Sequence, residues 1–349
     1  MRGYQALIVF SILAVLSSPI PKETLEVDSD VVLSDEFLIA GSEFDEYNPD
    51  VDGDIVVWQT IGISAYDHNI LGYRVDTQEY FSVSVDSHVD ETLPRVSGEW
   101  VVWLGYSTTQ GMKTQVLAKN IQTEEQRVVV TVSCDHCIYS FDVTGDFIVW
   151  ADIDVWVYRF STEQTTRITN DFAVQDYTAI DPPWVAWRHQ PGGGNSYIYA
   201  YNMNTGQTIT PTLGVGDGFG NFADISDGIM VWEGTVITYP VSVRAYFAKN
   251  LGTEEVYTMT VTTDETIWYP RISGDFVVWN SNESGNDEIY LYDLQASKLL
   301  QVTNSTYSDQ APSVGMHTIV WRRYDDQRGW NIYGVNLFSY SVYLPILTR

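Results

Sequence analysis

The stretch PRISGDFVVWNSNESGNDEIYLYDL, residues 270–294, holds two short apolar runs around a Gly-Asp pair and then a third strand-like run. Gly-Asp between apolar residues is a hairpin signal. Its first half returns elsewhere: PDVDGDIVVW ends at Trp58, LPRVSGEWVVW at Trp103 and FDVTGDFIVW at Trp150. With Trp187, Trp232, Trp279 and Trp321 these residues form a ladder whose intervals are 45, 47, 37, 45, 47 and 42 residues. Val51, Val96, Val143, Ile180, Ile225, Ile272 and Val314 each stand seven residues before their tryptophan. After each tryptophan comes a second motif, clearest in EIYLYDLQASKLLQVTN, that reads as strand, turn and strand. One unit therefore carries four strands. Strand-rich units with a period of roughly 40–50 residues are propeller blades. The run FVVW is continuous rather than alternating, as a strand buried on both faces between stacked blades must be. The sequence predicts an all-β fold, a seven-bladed β-propeller of four-stranded antiparallel blades.

The ends of the chain define the organisation. MRGYQALIVFSILAVLSSPIP places Arg2 before an apolar run from Ala6 to Leu16, too short for the ~20 residues that span a bilayer and laid out as a secretory signal peptide. We expect a signal peptide at 1–18, an N-terminal linker at 19–36 and the propeller at 37–349. The segment from Phe37 to Ala40 reads as an outer strand arriving ahead of blade 1. Either it or the C-terminal SVYLPIL would complete the seventh blade and close the ring.

At the level of P-x-[VI]-S-G-D-x-V-V-W…IYLYDL…QVTN the units resemble TolB-type propeller repeats, in the form found in bacterial and archaeal cell-surface proteins. The resemblance covers roughly residues 37 to 348 and implies the fold; such repeats serve many functions. TolB itself carries an α/β domain ahead of its propeller, with no counterpart in the short segment here. Peptidases of the prolyl oligopeptidase type join similar repeats to a hydrolase domain. The chain has no G-x-S-x-G nucleophile elbow.

Against 18 Lys and Arg stand 46 Asp and Glu, a formal charge of −28. Such a surface repels phosphate backbones and anionic membranes, so nucleic acid is excluded as a partner and no membrane insertion is expected after signal removal. The expected location is extracytoplasmic: secreted, periplasmic or cell-surface.

Candidate sites are few. Cys134 and Cys137, in CDHC, are expected to form a local disulfide in an exported protein. The position after the proline that opens each unit reads Asp50, Arg95, Asp142, Ala179, Asp224, Arg271 and Ser313. Neighbouring blades would set Asp50–Arg95–Asp142 and Asp224–Arg271 side by side as structural inner-ring ion pairs. Asp50, Asp52 and Asp54 suggest calcium by their spacing, yet they align with PRISGDF and PRVSGEW and so fall on an ordinary strand–turn–strand. Asp152 with Asp154, Asp287 with Glu288, and Asp325 with Asp326 are looser acidic hairpins. No cofactor is expected, with calcium the one ion these loops suggest. Glu46, Glu91 and Asp309 recur three residues before a proline, which points to turn capping. The five histidines fall at unrelated places in the repeat and outline no shared metal centre.

With no triad, ligand cluster or nucleotide loop, the expected function is an exported, non-catalytic propeller scaffold that binds a protein or an extracellular glycan. The alternatives are a structural surface-layer component and a polysaccharide lyase or glycoside hydrolase using carboxylates at the channel mouth.

Overall fold

Seven antiparallel sheets follow one another around a central channel. The computed structural model describes residues 28–342 except 63–67, 85–88, 108–112, 135–136, 193–195, 217–219, 239–240 and 263–268. The expected signal peptide lies outside the described residues. Blade 1 comprises Asp45–Asp52, Ile55–Ile61, His68–Arg74 and Glu79–Ser82, ordered from the channel outward. The next five blades repeat this order, with inner strands Asp90–Ser97, Ser140–Thr144, Val174–Asp181, Asn221–Ser226 and Arg271–Ser273.

Blade 7 answers the question of closure. Its first three strands are Asp309–Val314, Thr318–Asp325 and Gly329–Val342. The outermost position is filled by the N-terminal segment, where Asp28–Leu33 and Phe37–Ala40 pair in turn along Gly329–Val342. The chain thus supplies a third strand from its C-terminal end and a fourth from its N-terminal end. This outer strand begins at Asp28, inside the stretch read as linker. The reason is packing: Val31, Leu33 and Leu337 bury against Val278, Ile289 and Leu291 of blade 6.

A buried ionic latch holds the closure. Arg323 donates through Nε and Nη2 to both carboxylate oxygens of Asp309 at 2.6 and 2.8 Å. Through Nη1 it donates to Glu36 at 2.6 Å. Glu36 sits in the break between the two N-terminal strands, so one guanidinium ties the first described strands to the last blade.

The seven ladder tryptophans are 0–4% exposed and lie between blades. Trp279 packs on Tyr246 of the preceding blade, ring centroids 4.8 Å apart. Two of the recurrent acids also serve these indoles, while all three accept from a serine of the entering loop: Glu46 from Ser42, Glu91 from Ser84 and Asp309 from Ser305. Trp103 Nε1 donates to Glu91 at 3.0 Å and Trp321 Nε1 to Asp309 at 3.1 Å. In these two blades an acid twelve residues upstream supplies the buried indole N–H with a partner.

Side chains also stitch blade to blade along the channel. Asp50, Asp142 and Asp224 accept the backbone N–H groups of Val96, Ile180 and Ile272 at 2.9, 3.0 and 3.0 Å. One turn further, Asp52 and Ser97 accept from Gly98 and Gly145 at 2.7 and 3.0 Å. Gly53, Gly98, Gly145 and Gly274 all sit at φ between 54° and 57°, which the tight hairpins after the inner strands require. These hairpins close one face of the ring; the connections that enter the inner strands form the other.

Candidate functional site

The inner strands do not run straight. Their pairing with the second strand slips at Tyr47/Asp50, Thr92/Arg95, Asp176/Ala179 and Gln310/Ser313. At each slip one residue takes a left-handed conformation: Asn48, Leu93, Tyr177 and Ala311, with φ of 50–55°. For non-glycine residues this costs roughly 1–2 kcal/mol each, so the surroundings must hold them. Gln59 does so for two of them, accepting from Asn48 Nδ2 at 2.9 Å and from Thr92 Oγ1, beside Leu93, at 2.6 Å. The bulges bring these four residues to the lining of a cavity of about 270 Å³ at the channel mouth.

One wall is aromatic. The Tyr177 and Tyr269 rings lie 5.4 Å apart, with their hydroxyls at 3.4 Å. Burial and the neighbouring phenol push the Tyr269 hydroxyl well above its ordinary pKa. The Arg188 guanidinium sits 4.4 Å over the Tyr177 ring and is fixed by a fork onto Asp176, both bonds 2.7 Å. Across the mouth stands Arg322, packed in the corner of two neighbouring rings, Trp330 at 4.4 Å and Tyr47 at 5.1 Å.

The floor is ionic. Arg271 reaches Asp50 through Nη2 at 3.2 Å and Asp224 through Nε at 3.3 Å. Asp50 also accepts from Ser313 Oγ at 2.8 Å. The expected neighbour pair Asp224–Arg271 is present, whereas the expected Asp50–Arg95–Asp142 pairing is not. Arg271 spans the channel to blade 1, two blades away around the ring. Arg95 makes no ion pair with Asp50 or Asp142; it donates through Nη1 to its own Pro94 carbonyl at 2.9 Å. Burial and repulsion from Arg271 lower the Arg95 pKa. Three carboxylates therefore share two guanidiniums, and Asp142 is left with one backbone donor, Ile180 N–H. Its pKa is raised to about 7, first by burial and then by Asp224.

This has a pH consequence. A carboxyl whose folded pKa exceeds its unfolded value of 3.8 contributes stability that is fully present below 3.8 and lost as pH rises through about 7. Asp142→Asn, which can still accept the Ile180 N–H, is expected to exceed the parent in Tm at about pH 8 and to converge with it toward about pH 4. Parallel melting curves across that range check the sign.

The remaining expected sites are spent on structure. Cys134 and Cys137 are joined as a disulfide with Cα atoms 6.0 Å apart; His136 between them lies outside the described residues. Asp50 and Asp52 of the suggested calcium loop bond across to blade 2, at Val96 and Gly98. Asp154 pairs with Arg167, and Asp152 accepts from Trp156 Nε1 at 3.0 Å. Glu288 accepts from Thr303 Oγ1 at 2.5 Å, and Asp325 from the Gln327 N–H at 2.7 Å. Among the described residues, no three His, Cys, Asp or Glu side chains gather as metal ligands.

No family model and no curated protein matches the chain. Solved structures do. The β-propeller domain of the Trilobed protease from Pyrococcus furiosus matches with a TM-score of 0.64 at 11% identity, over 86% of this chain and 96% of that one. Oligogalacturonate lyase from Vibrio parahaemolyticus matches with 0.63 at 12% identity, over 89% and 97%. TolB from Acinetobacter baumannii matches with 0.52 at 14% identity, over 75% and 67%. The fold is a seven-bladed β-propeller similar to that of TolB and of several propeller enzymes. These likenesses correct the expected function. Similar structures are for the most part enzymes, acylaminoacyl peptidases among them, so an exported non-catalytic binding scaffold is not the reading they favour.

Proposed function

We propose that the chain is a propeller enzyme that takes a short acidic saccharide into its channel mouth. One observation carries this reading. In a chain of charge −28, the guanidiniums of Arg95, Arg271 and Arg322 and the ring pair Tyr177–Tyr269 converge on one cavity, with Arg188 packed on Tyr177. Aromatic faces pack against the apolar faces of sugar rings, and guanidiniums bind carboxylates. About 270 Å³, just under the usual range for ligand pockets, suits one or two sugar rings. Oligogalacturonate, the substrate in the name of a similar structure, is a saccharide of this chemistry, and that likeness runs over 97% of the lyase chain. The apolar run near the N-terminus and the Cys134–Cys137 disulfide support an extracytoplasmic setting.

The test is a thermal-shift series with trigalacturonate, other short uronates and neutral oligosaccharides, run beside an assay for new reducing ends and unsaturated product. A rise in Tm with a short uronate, accompanied by product, is the expected result. A panel in which no saccharide shifts Tm and none is turned over would overturn the reading.

A further inference from the structure

Resting on that reading, we propose that Arg322 is the residue that reads the ligand's carboxylate and so sets the preference for acidic over neutral saccharides. The other three guanidiniums of the mouth are committed or confined. Arg271 is held by Asp50 and Asp224, and Arg188 by both oxygens of Asp176. Arg95 turns back to its own backbone and lies beside the charge of Arg271.

Among the described residues, Arg322 shares with Arg95 the lack of an ion pair and a buried, unpartnered Nε, but it is not repelled by a neighbouring guanidinium; its Nη2 donates to Gln310 Oε1 at 2.8 Å. Its nearest acid, Asp287, is reached only through Gln310, whose Nε2 donates to Asp287 at 2.6 Å. The guanidinium packs in the corner formed by the Trp330 and Tyr47 rings, whose centroids are 6.0 Å apart. A guanidinium held by Gln310 and packed against two rings has lost much of its side-chain freedom, and with Nε buried an incoming carboxylate meets a prepared Nη edge. Arg322 immediately follows the ladder tryptophan Trp321 on the second strand of blade 7, a rigid element rather than a loop.

Calorimetric titration of the full chain with digalacturonate and with its neutral galactose counterpart, for the parent and for Arg322→Gln and Arg322→Lys, tests this. The parent is expected to bind the acid at least about tenfold more tightly than the neutral sugar, as a charge-assisted bidentate contact allows. Arg322→Gln should lose that preference while keeping its affinity for the neutral sugar, which also reports an intact fold. Arg322→Lys, which keeps the charge and loses the fork, should retain only part of the preference, and it decides the matter should the glutamine variant fail to fold. An undiminished preference in both variants, or a parent that binds both sugars equally, overturns the role of Arg322 and leaves the saccharide site standing. A parent that binds neither sugar overturns the site and this role together.

Discussion

Replacing Arg323 with alanine is expected to destabilise the protein by about 3–5 kcal/mol, because it strands a fully buried carboxylate. Asp309 is 0% exposed and loses both of its guanidinium bonds, keeping the Trp321 indole and Ser305 as donors. Burial already pushes the Asp309 pKa up against the pull of Arg323, so in the variant the carboxyl takes up a proton or the site lets in water. The same substitution releases Glu36 and with it the join between Asp28–Leu33 and Phe37–Ala40. The outer strand of blade 7 should then fray, exposing an edge of Gly329–Val342 that favours association between copies. Urea unfolding of the parent and variant gives the free-energy difference, and light scattering of the variant near its midpoint should reveal the exposed edge. A difference below about 1 kcal/mol would show that the latch is not dry.

Arg271→Ala should cost about 3 kcal/mol at neutral pH, the low end of the range for breaking a buried pair, since the side chain is partly accessible. The variant leaves Asp50, Asp142 and Asp224 facing one another with Arg95 as their only near cation. Asp142, whose folded pKa is already raised by burial, loses the pull of Arg271 and shifts further up. The loss is therefore fully present above that pKa and shrinks as pH falls and Asp142 protonates. Melting curves should show parent and variant far apart at about pH 8 and close together at about pH 4. A separation that stays constant across that range would mean that Arg271 acts through packing of its stem and not through its charge.

Much of this architecture was legible in the sequence, for identifiable reasons. The tryptophan ladder and the residue seven positions upstream recur because every blade must fill the same space against its neighbour, and that demand leaves a period. The same register exposed Asp50, Asp142, Asp224, Arg95 and Arg271 as residues of one ring. It gave the neighbour pair Asp224–Arg271 but not the pairing across the channel. Register orders residues around the perimeter, whereas a guanidinium long enough to cross the channel ignores that order, and Arg271 uses its reach to bind Asp50.

The mouth was harder to see. Tyr177 and Tyr269 occupy the position ten residues before the tryptophan, where other blades place Asn48, Leu93 and Ala311. Arg188 and Arg322 occupy the position just after it, where others place Gln59, Leu104, Ala151, Glu233 and Asn280. The positions repeat, but their chemistry differs from blade to blade, since a site on the axis of a ring is built from unequal contributions. A search for shared residues discards that signal; a search for repeat positions that vary in charge and aromaticity finds it. The functional reading failed for a related reason. Missing triads and metal motifs argue only against the chemistries that carry such motifs, and a pocket assembled from several blades carries none.

The most direct test of the channel-mouth account is a crystal structure of the full chain soaked with trigalacturonate. The account requires saccharide density in the mouth, with a ring against Tyr177 and Tyr269 and a carboxylate on Arg322. Saccharide bound on an outer blade edge, or a mouth that holds only water at saturating ligand, would contradict it.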